Sequence, residues 1–187
     1  MASVTSAAEG YARRAFTVEE ILRMQDAGII SEDENFELVE GEIVPMRPKY
    51  SAHERIKSEV AMALVRACPV ELIVGFESSI FFSDNTFLEP DLCLYPRRLQ
   101  SQDVRGPDIL LAIEVAASTL AYDRGLKARL YARFGVRELW VIDANARLTW
   151  AHTGPTETGW THVVEISPEE LLTTPAVPGF SMNLAGA

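Results

Sequence analysis

Cysteine is scarce. Cys68 and Cys93 are the only two in 187 residues, and neither belongs to a C-x-x-C pair. That argues for buried thiols over a disulfide or a zinc site, which fits a cytoplasmic protein. No apolar run approaches the ~20 residues that a membrane span needs. The first ten residues are small and polar, with no basic patch leading into an apolar stretch, so no signal peptide is expected. Basic residues are also few, 17 Lys and Arg against 27 Asp and Glu, which leaves a net charge of −10. This argues against indiscriminate nucleic-acid binding, since a strong phosphate binder carries a basic face. It does not exclude a metal site, whose carboxylates add negative charge that bound ions neutralise. Internal repeats and low-complexity segments are absent.

What is present reads as an ordinary globular chain, 48% hydrophobic and 24% charged. The length predicts one domain over residues 16–187, preceded by a loose segment over 1–15. Thr17-Val18-Glu19-Glu20 forms a capping box, Phe16 and Ile21 stand where a hydrophobic staple belongs, and Gly28 ends the helix. Two short apolar runs flank Glu40-Gly41, the signal of a β-hairpin. Glu37 lies on its first strand, and pattern alone reads it as exposed. Ser51-Ala52-His53-Glu54 opens a second helix that closes before Pro69. Near its start, His53 reads either as a packed, hydrogen-bonded histidine or as a site residue. Further on, strand–helix–strand from 109 to 142 argues a parallel crossover. A hairpin around Gly154–Gly159 and a third capping box, Ser167-Pro168-Glu169-Glu170, close the chain.

The stretch from Leu88 to Asp143 carries the chemistry. Ile109–Val115 is apolar except for Glu114, and a run of that kind reads as a strand buried on both faces. An isolated ionised carboxylate there is costly, so Glu114 needs a partner, a proton or a metal ion. Asp91 opens another apolar run after Pro90, which belongs at a strand end or bulge. Two such carboxylates repel unless a cation lies between them, and two can hold Mg²⁺ with several waters left on the ion. Lys127 follows Asp123 by four residues, on the same helix face. From there it could orient a nucleophile beside Glu114. The alternative is an exposed Asp123–Lys127 ion pair of a few tenths of a kcal/mol.

These residues carry a resemblance. Pro90-Asp91, Glu114-Val115-Ala116-Ala117-Ser118-Thr119, Asp123, Lys127, Tyr131-Ala132 and Gly135–Asp143 resemble the Uma-two family, restriction-endonuclease-like proteins of the PD-(D/E)XK nuclease superfamily. Phe36–Val44 and His53 resemble its N-terminal signature. The likeness covers roughly Phe16 to Ser181. It implies an α+β fold, a mixed β-sheet flanked by helices, with an N-terminal helix and β-hairpin. It implies Mg²⁺, replaceable by Mn²⁺, on Asp91, Glu114 and the Val115 carbonyl, and metal-dependent hydrolysis of DNA phosphodiester bonds. Glu37 and Lys127 become catalytic candidates, His53 and Asp123 line the site, and a homodimer could address two strands. One departure stands out: the superfamily lysine belongs two residues after the glutamate, where this chain has Ala116, so Lys127 would be its substitute. The competing reading is a nuclease fold that serves as a binding or interaction module without catalysis.

Overall fold

The computed structural model describes residues 4–5, 13–31, 33–46 and 51–186. They form two compact units, one from Met1–Pro48 with Ser79–Glu89, the other from Lys49–Ser78 with Pro90–Ala187. Within the N-terminal segment expected to be loose, β1 (Val4–Thr5) and β2 (Arg13–Arg14) pair antiparallel. Residues 1–3 and 6–12 of that segment lie outside the described residues.

In the first unit, α1 (Val18–Asp26) begins as its capping box dictates. Thr17 accepts the Glu20 N–H, and the Glu20 carboxylate accepts the Thr17 N–H. Gly28, in a left-handed conformation, closes the helix: its N–H reaches Gln25 O and that of Ile29 reaches Met24 O. Next come β3 (Phe36–Val39) and β4 (Glu42–Pro45), joined through Glu40 and Gly41, both at positive φ. That is a type I′ turn, whose twist matches the strands it joins. A side chain at 41 would also strike Ala15, 2.4 Å from its Cβ. The insertion supplies β6 (Ile80–Ser83) and β7 (Thr86–Leu88), giving a sheet of order β4-β3-β7-β6. With neighbours on both sides, β3 is central and all four of its residues are buried. Glu37 is buried, not exposed, with its carboxylate drawn to the Glu89 N–H, while Phe36 and Leu38 on the opposite face of the strand join the Ile21, Ile30 and Phe87 core.

The second unit is built on a six-stranded sheet, order β12-β11-β10-β9-β8-β5. Its members are β5 (Leu72–Phe76), β8 (Leu92–Pro96), β9 (Leu111–Ala116), β10 (Glu138–Asp143), β11 (Thr149–Thr156) and β12 (Gly159–Ile166). β9 and β10 run parallel, as the crossover pattern predicts, and the other pairs are antiparallel. The crossover is α3 (Leu120–Tyr122), a π-helical turn (Asp123–Lys127) and α4 (Ala128–Arg133). Strand alternation sorts the faces. Leu92, Leu94, Leu111, Ile113, Val115, Trp140 and Ile142 face α2 (Ser51–Ala67), which contributes Ile56, Val60, Ala61 and Leu64 to one core. Ala112, Glu114 and Ala116 face the other way, towards the crossover helix. Gly106, in a 3₁₀ turn before β9, has its backbone pressed on Phe134 O, where a Cβ would stand only 1.9 Å away.

Two readings need correction. Ser167–Glu170 makes its capping hydrogen bond, Ser167 N–H to Glu170 Oε2 at 2.8 Å, but forms one turn and no helix. Leu172 instead bridges to Met182, and Leu172, Val177 and Phe180 enter the core, a path kept non-helical by Pro175 and Pro178. Ser51 is already inside α2, and the Glu54 carboxylate accepts from His53 and Lys57.

Candidate active site

Pro90 has no N–H to give a ladder, so β8 starts only at Leu92. Its pairing with β9 covers Ile113 but not Val115. The Asp91 side chain takes over there, Oδ2 accepting the Val115 N–H at 2.8 Å in place of a missing strand carbonyl. A buried N–H needs such an acceptor. The same oxygen faces His53 Nε2 at 3.1 Å, while His53 Nδ1 faces Glu54 Oε1 at 3.1 Å. His53 is thus both packed and at the site, buried in the first turn of α2. Behind it, Lys57 Nζ reaches Glu54 at 2.9 Å and Glu77 at 2.7 Å. The hydrogen bond from Lys57 holds the Glu54 carboxyl below its usual range. Glu77, in a left-handed conformation, donates its N–H to Asp91 O.

Glu114, 4% exposed, receives its partners from the crossover helix. Lys127 Nζ stands 2.8 Å from Glu114 Oε1, and Tyr131 OH donates to the same oxygen at 2.5 Å. Lys127 and Tyr131 are four residues apart and share a helix face. Asp123, one step earlier on that stripe, accepts from Thr119 Oγ1 at 2.5 Å. Asp123 and Lys127 are both buried, so the exposed ion-pair reading fails. They bound a π turn, marked by Ala128 N–H reaching back five residues to Asp123 O. Such insertions are rare and concentrate at functional sites.

The second unit therefore brings together Asp91, Glu114, Val115, Lys127 and His53, with Asp123 beside them. Glu37 belongs to the first unit, where its Oε1 accepts the Glu89 N–H at 2.9 Å. Tyr131 carries a contact that pattern reading missed. The available signal was its place eight residues after Asp123 and four after Lys127, on one stripe. Both cysteines are free thiols, and burial pushes Cys93, two residues beyond Asp91, up to about 12.

Among the described residues, no three His, Cys, Asp or Glu side chains converge as a metal cluster. The donor set still suits Mg²⁺, which takes one or two carboxylates and keeps several waters. Asp91 Oδ2 meets the Val115 N–H and Glu114 Oε1 meets Lys127 and Tyr131.

The chain was compared with known proteins. No match was found among curated proteins. A solved structure described as "a putative nuclease belonging to DUF820", from Anabaena variabilis ATCC 29413, superposes with a TM-score of 0.70 over 90% of this chain and 95% of that one, at 16% identity. At that identity the likeness establishes the fold: a nuclease fold. The Uma2 family, described as "Putative restriction endonuclease", matches residues 18–185. With nearly the whole length matched, over the fold and the residues described above, the chain belongs to the Uma2 family.

Proposed function

We propose that the protein is a Mg²⁺-dependent deoxyribonuclease that hydrolyses DNA phosphodiester bonds at the Asp91, Glu114 and Lys127 site. The observation that carries this reading is Lys127 within 2.8 Å of Glu114, both buried where the sheet meets the crossover helix. Asp91, Glu114 and the Val115 carbonyl would hold the ion. When bound, Mg²⁺ supplies an acidified water and neutralises charge on a phosphoryl oxygen. Mn²⁺ would substitute. The protein's own residues do the rest. His53 and the Val115 N–H fix Asp91, Tyr131 and Lys127 fix Glu114, and the Lys127 ammonium stabilises charge that grows on the attacked phosphate. The resemblance also assigns Glu37 a part, which Glu37→Gln would assay. A homodimer would let two sites address two strands.

A second reading keeps the fold for binding alone. Ala116 occupies the superfamily lysine position, and the Lys127 charge is already engaged by Glu114. Cleavage assays on varied DNA with Mg²⁺, with Mn²⁺ and with chelator separate the two. Metal-dependent cleavage lost in Glu114→Gln is expected. Cleavage that persists in chelator sinks the metal mechanism, and inactivity throughout moves the conclusion to the binding module.

A further inference from the structure

The crossover helix has a second face. Asp123, Lys127 and Tyr131 point inwards, and Arg129 and Arg133 each follow an inward residue by two positions, about 200° further round the helix axis. Both are exposed, as are Arg124 and Arg137 at either end. Between residues 117 and 142 the only carboxylates are Asp123 and Glu138, and both are buried. Arg14 and Arg23, by contrast, each meet a glutamate, Glu20 and Glu19. Among the described residues, Arg124, Arg129 and Arg137 have no carboxylate partner. Arg124 lies 3.7 Å above the Trp150 ring, whose Nε1 donates to Glu165, and Arg137 donates to Pro107 O. Arg133 stacks on Phe134.

We infer that the exposed arginines of the crossover, Arg129 and Arg133 on the outer face of α4 with Arg124 and Arg137 at its two ends, form a docking track for the phosphate backbone of nucleic acid. Arginine matches phosphate through a planar, weakly hydrated fork, and neighbours four apart on a helix stand about 5–6 Å from each other, suited to adjacent backbone charges. Like charges held together on an exposed face repel, and a polyanion removes that cost while releasing its own counterions. Because Arg129 and Arg133 point away from Glu114, the track binds flanking nucleic acid and takes no part in bond cleavage. The inference deepens the nuclease reading and rests on it for the identity of the polyanion.

The test is fluorescence anisotropy with a labelled 30-base-pair duplex and its single strand, in chelator, over a series of salt concentrations. The wild type is expected to bind with log K falling linearly against log salt. Each single change, Arg124→Gln, Arg129→Gln or Arg133→Gln, should lower the slope by about 1, and the triple variant by roughly 3. The triple Lys variant should retain most of the binding and the slope, which separates lost charge from lost fold. An unchanged affinity and slope in the triple Gln variant overturns the track, and so does a wild type that binds neither probe. If binding is unchanged but sedimentation shows altered self-association, the strip serves a protein contact and the inference also falls. Metal-dependent cleavage is scored separately: wild-type cleavage with a triple variant that binds normally sinks the track alone, and strip-dependent binding without cleavage sinks the nuclease reading alone.

Discussion

Glu114 and Lys127 are held to each other before any substrate arrives, which sets what their replacement should do. Lys127→Met leaves a buried carboxylate with Tyr131 as its remaining donor from the helix, and breaking a buried pair from one side costs about 3–5 kcal/mol. A lower melting temperature is therefore expected together with a ~10²–10³-fold loss of cleavage rate. Glu114→Gln combined with Lys127→Met should be more stable than Lys127→Met alone, because the uncompensated charge is gone. Thermal unfolding of the three variants checks this; a double variant no more stable than the single would show that the pair is not energetically coupled. Tyr131→Phe removes one hydrogen bond to a charged oxygen, about 1.5–3 kcal/mol by type, and frees Glu114 to turn. Mn²⁺ affinity by calorimetry should fall, and an unchanged affinity would leave Tyr131 a purely structural role. The suspicion attached to Glu114 was legible in the sequence, because a lone carboxylate in an apolar run has few explanations. Its partners were half legible: Lys127 by helical spacing, Tyr131 only once the inward stripe is known.

At the level of elements, the crossover helix divides its work between faces, and Lys127 lies on the inner one at the end of a π turn. No residue in Asp123–Lys127 announces that turn, so its existence was beyond pattern reading. On the neighbouring strand β11, His152 Nδ1 faces Leu139 O at 3.2 Å and Trp150 O at 2.9 Å, so that nitrogen carries a proton. Burial lowers the His152 pKa from 6.5, with Arg124 adding a smaller push in the same direction. With the folded value below the unfolded one, the neutral ring contributes stability that is present above pH 6.5 and is lost as pH falls through the folded value. Denaturant unfolding at pH 7.5 and pH 5 should therefore show a smaller loss in His152→Gln than in the wild type. Equal losses would assign the acid sensitivity to other groups.

For the whole molecule, charge and metal are the quantities that matter. The first unit holds 12 of the 27 Asp and Glu and 4 of the 17 Lys and Arg, a formal charge of −8, which leaves −2 for the second. The overall −10 therefore describes the first unit far better than it describes the one that carries Asp91, Glu114 and the arginine strip. Net charge, read as an argument against a basic face, averaged over two unlike parts. If Asp91 and Glu114 hold an ion in the folded state only, Mn²⁺ at about a hundred times its Kd should stabilise the protein by about 2.7 kcal/mol. Asp91→Asn keeps an acceptor for the Val115 N–H and should abolish that gain. A metal-induced rise in melting temperature that survives Asp91→Asn would place the ion elsewhere.

The sequence by itself determined the local structure. Thr17 and Glu20 set the start of α1, Glu40-Gly41 its hairpin turn, Pro90 the start of β8, and Gly135 the end of α4, because each acts through its own backbone and nearest neighbours. It also marked Asp91 and Glu114 as anomalous. What only the tertiary structure decided are the contacts between residues far apart in the chain. The β6–β7 insertion makes β3 a central strand, the core draws Leu172 and Phe180 away from a helix, and the register of β8 on β9 places Asp91 against Val115. Burial is a property of the surroundings a strand or helix acquires, and periodicity records only which face is apolar. That is why a buried Asp123–Lys127 stripe and an exposed arginine strip could share one helix and read, in sequence, as a single run of mixed charge.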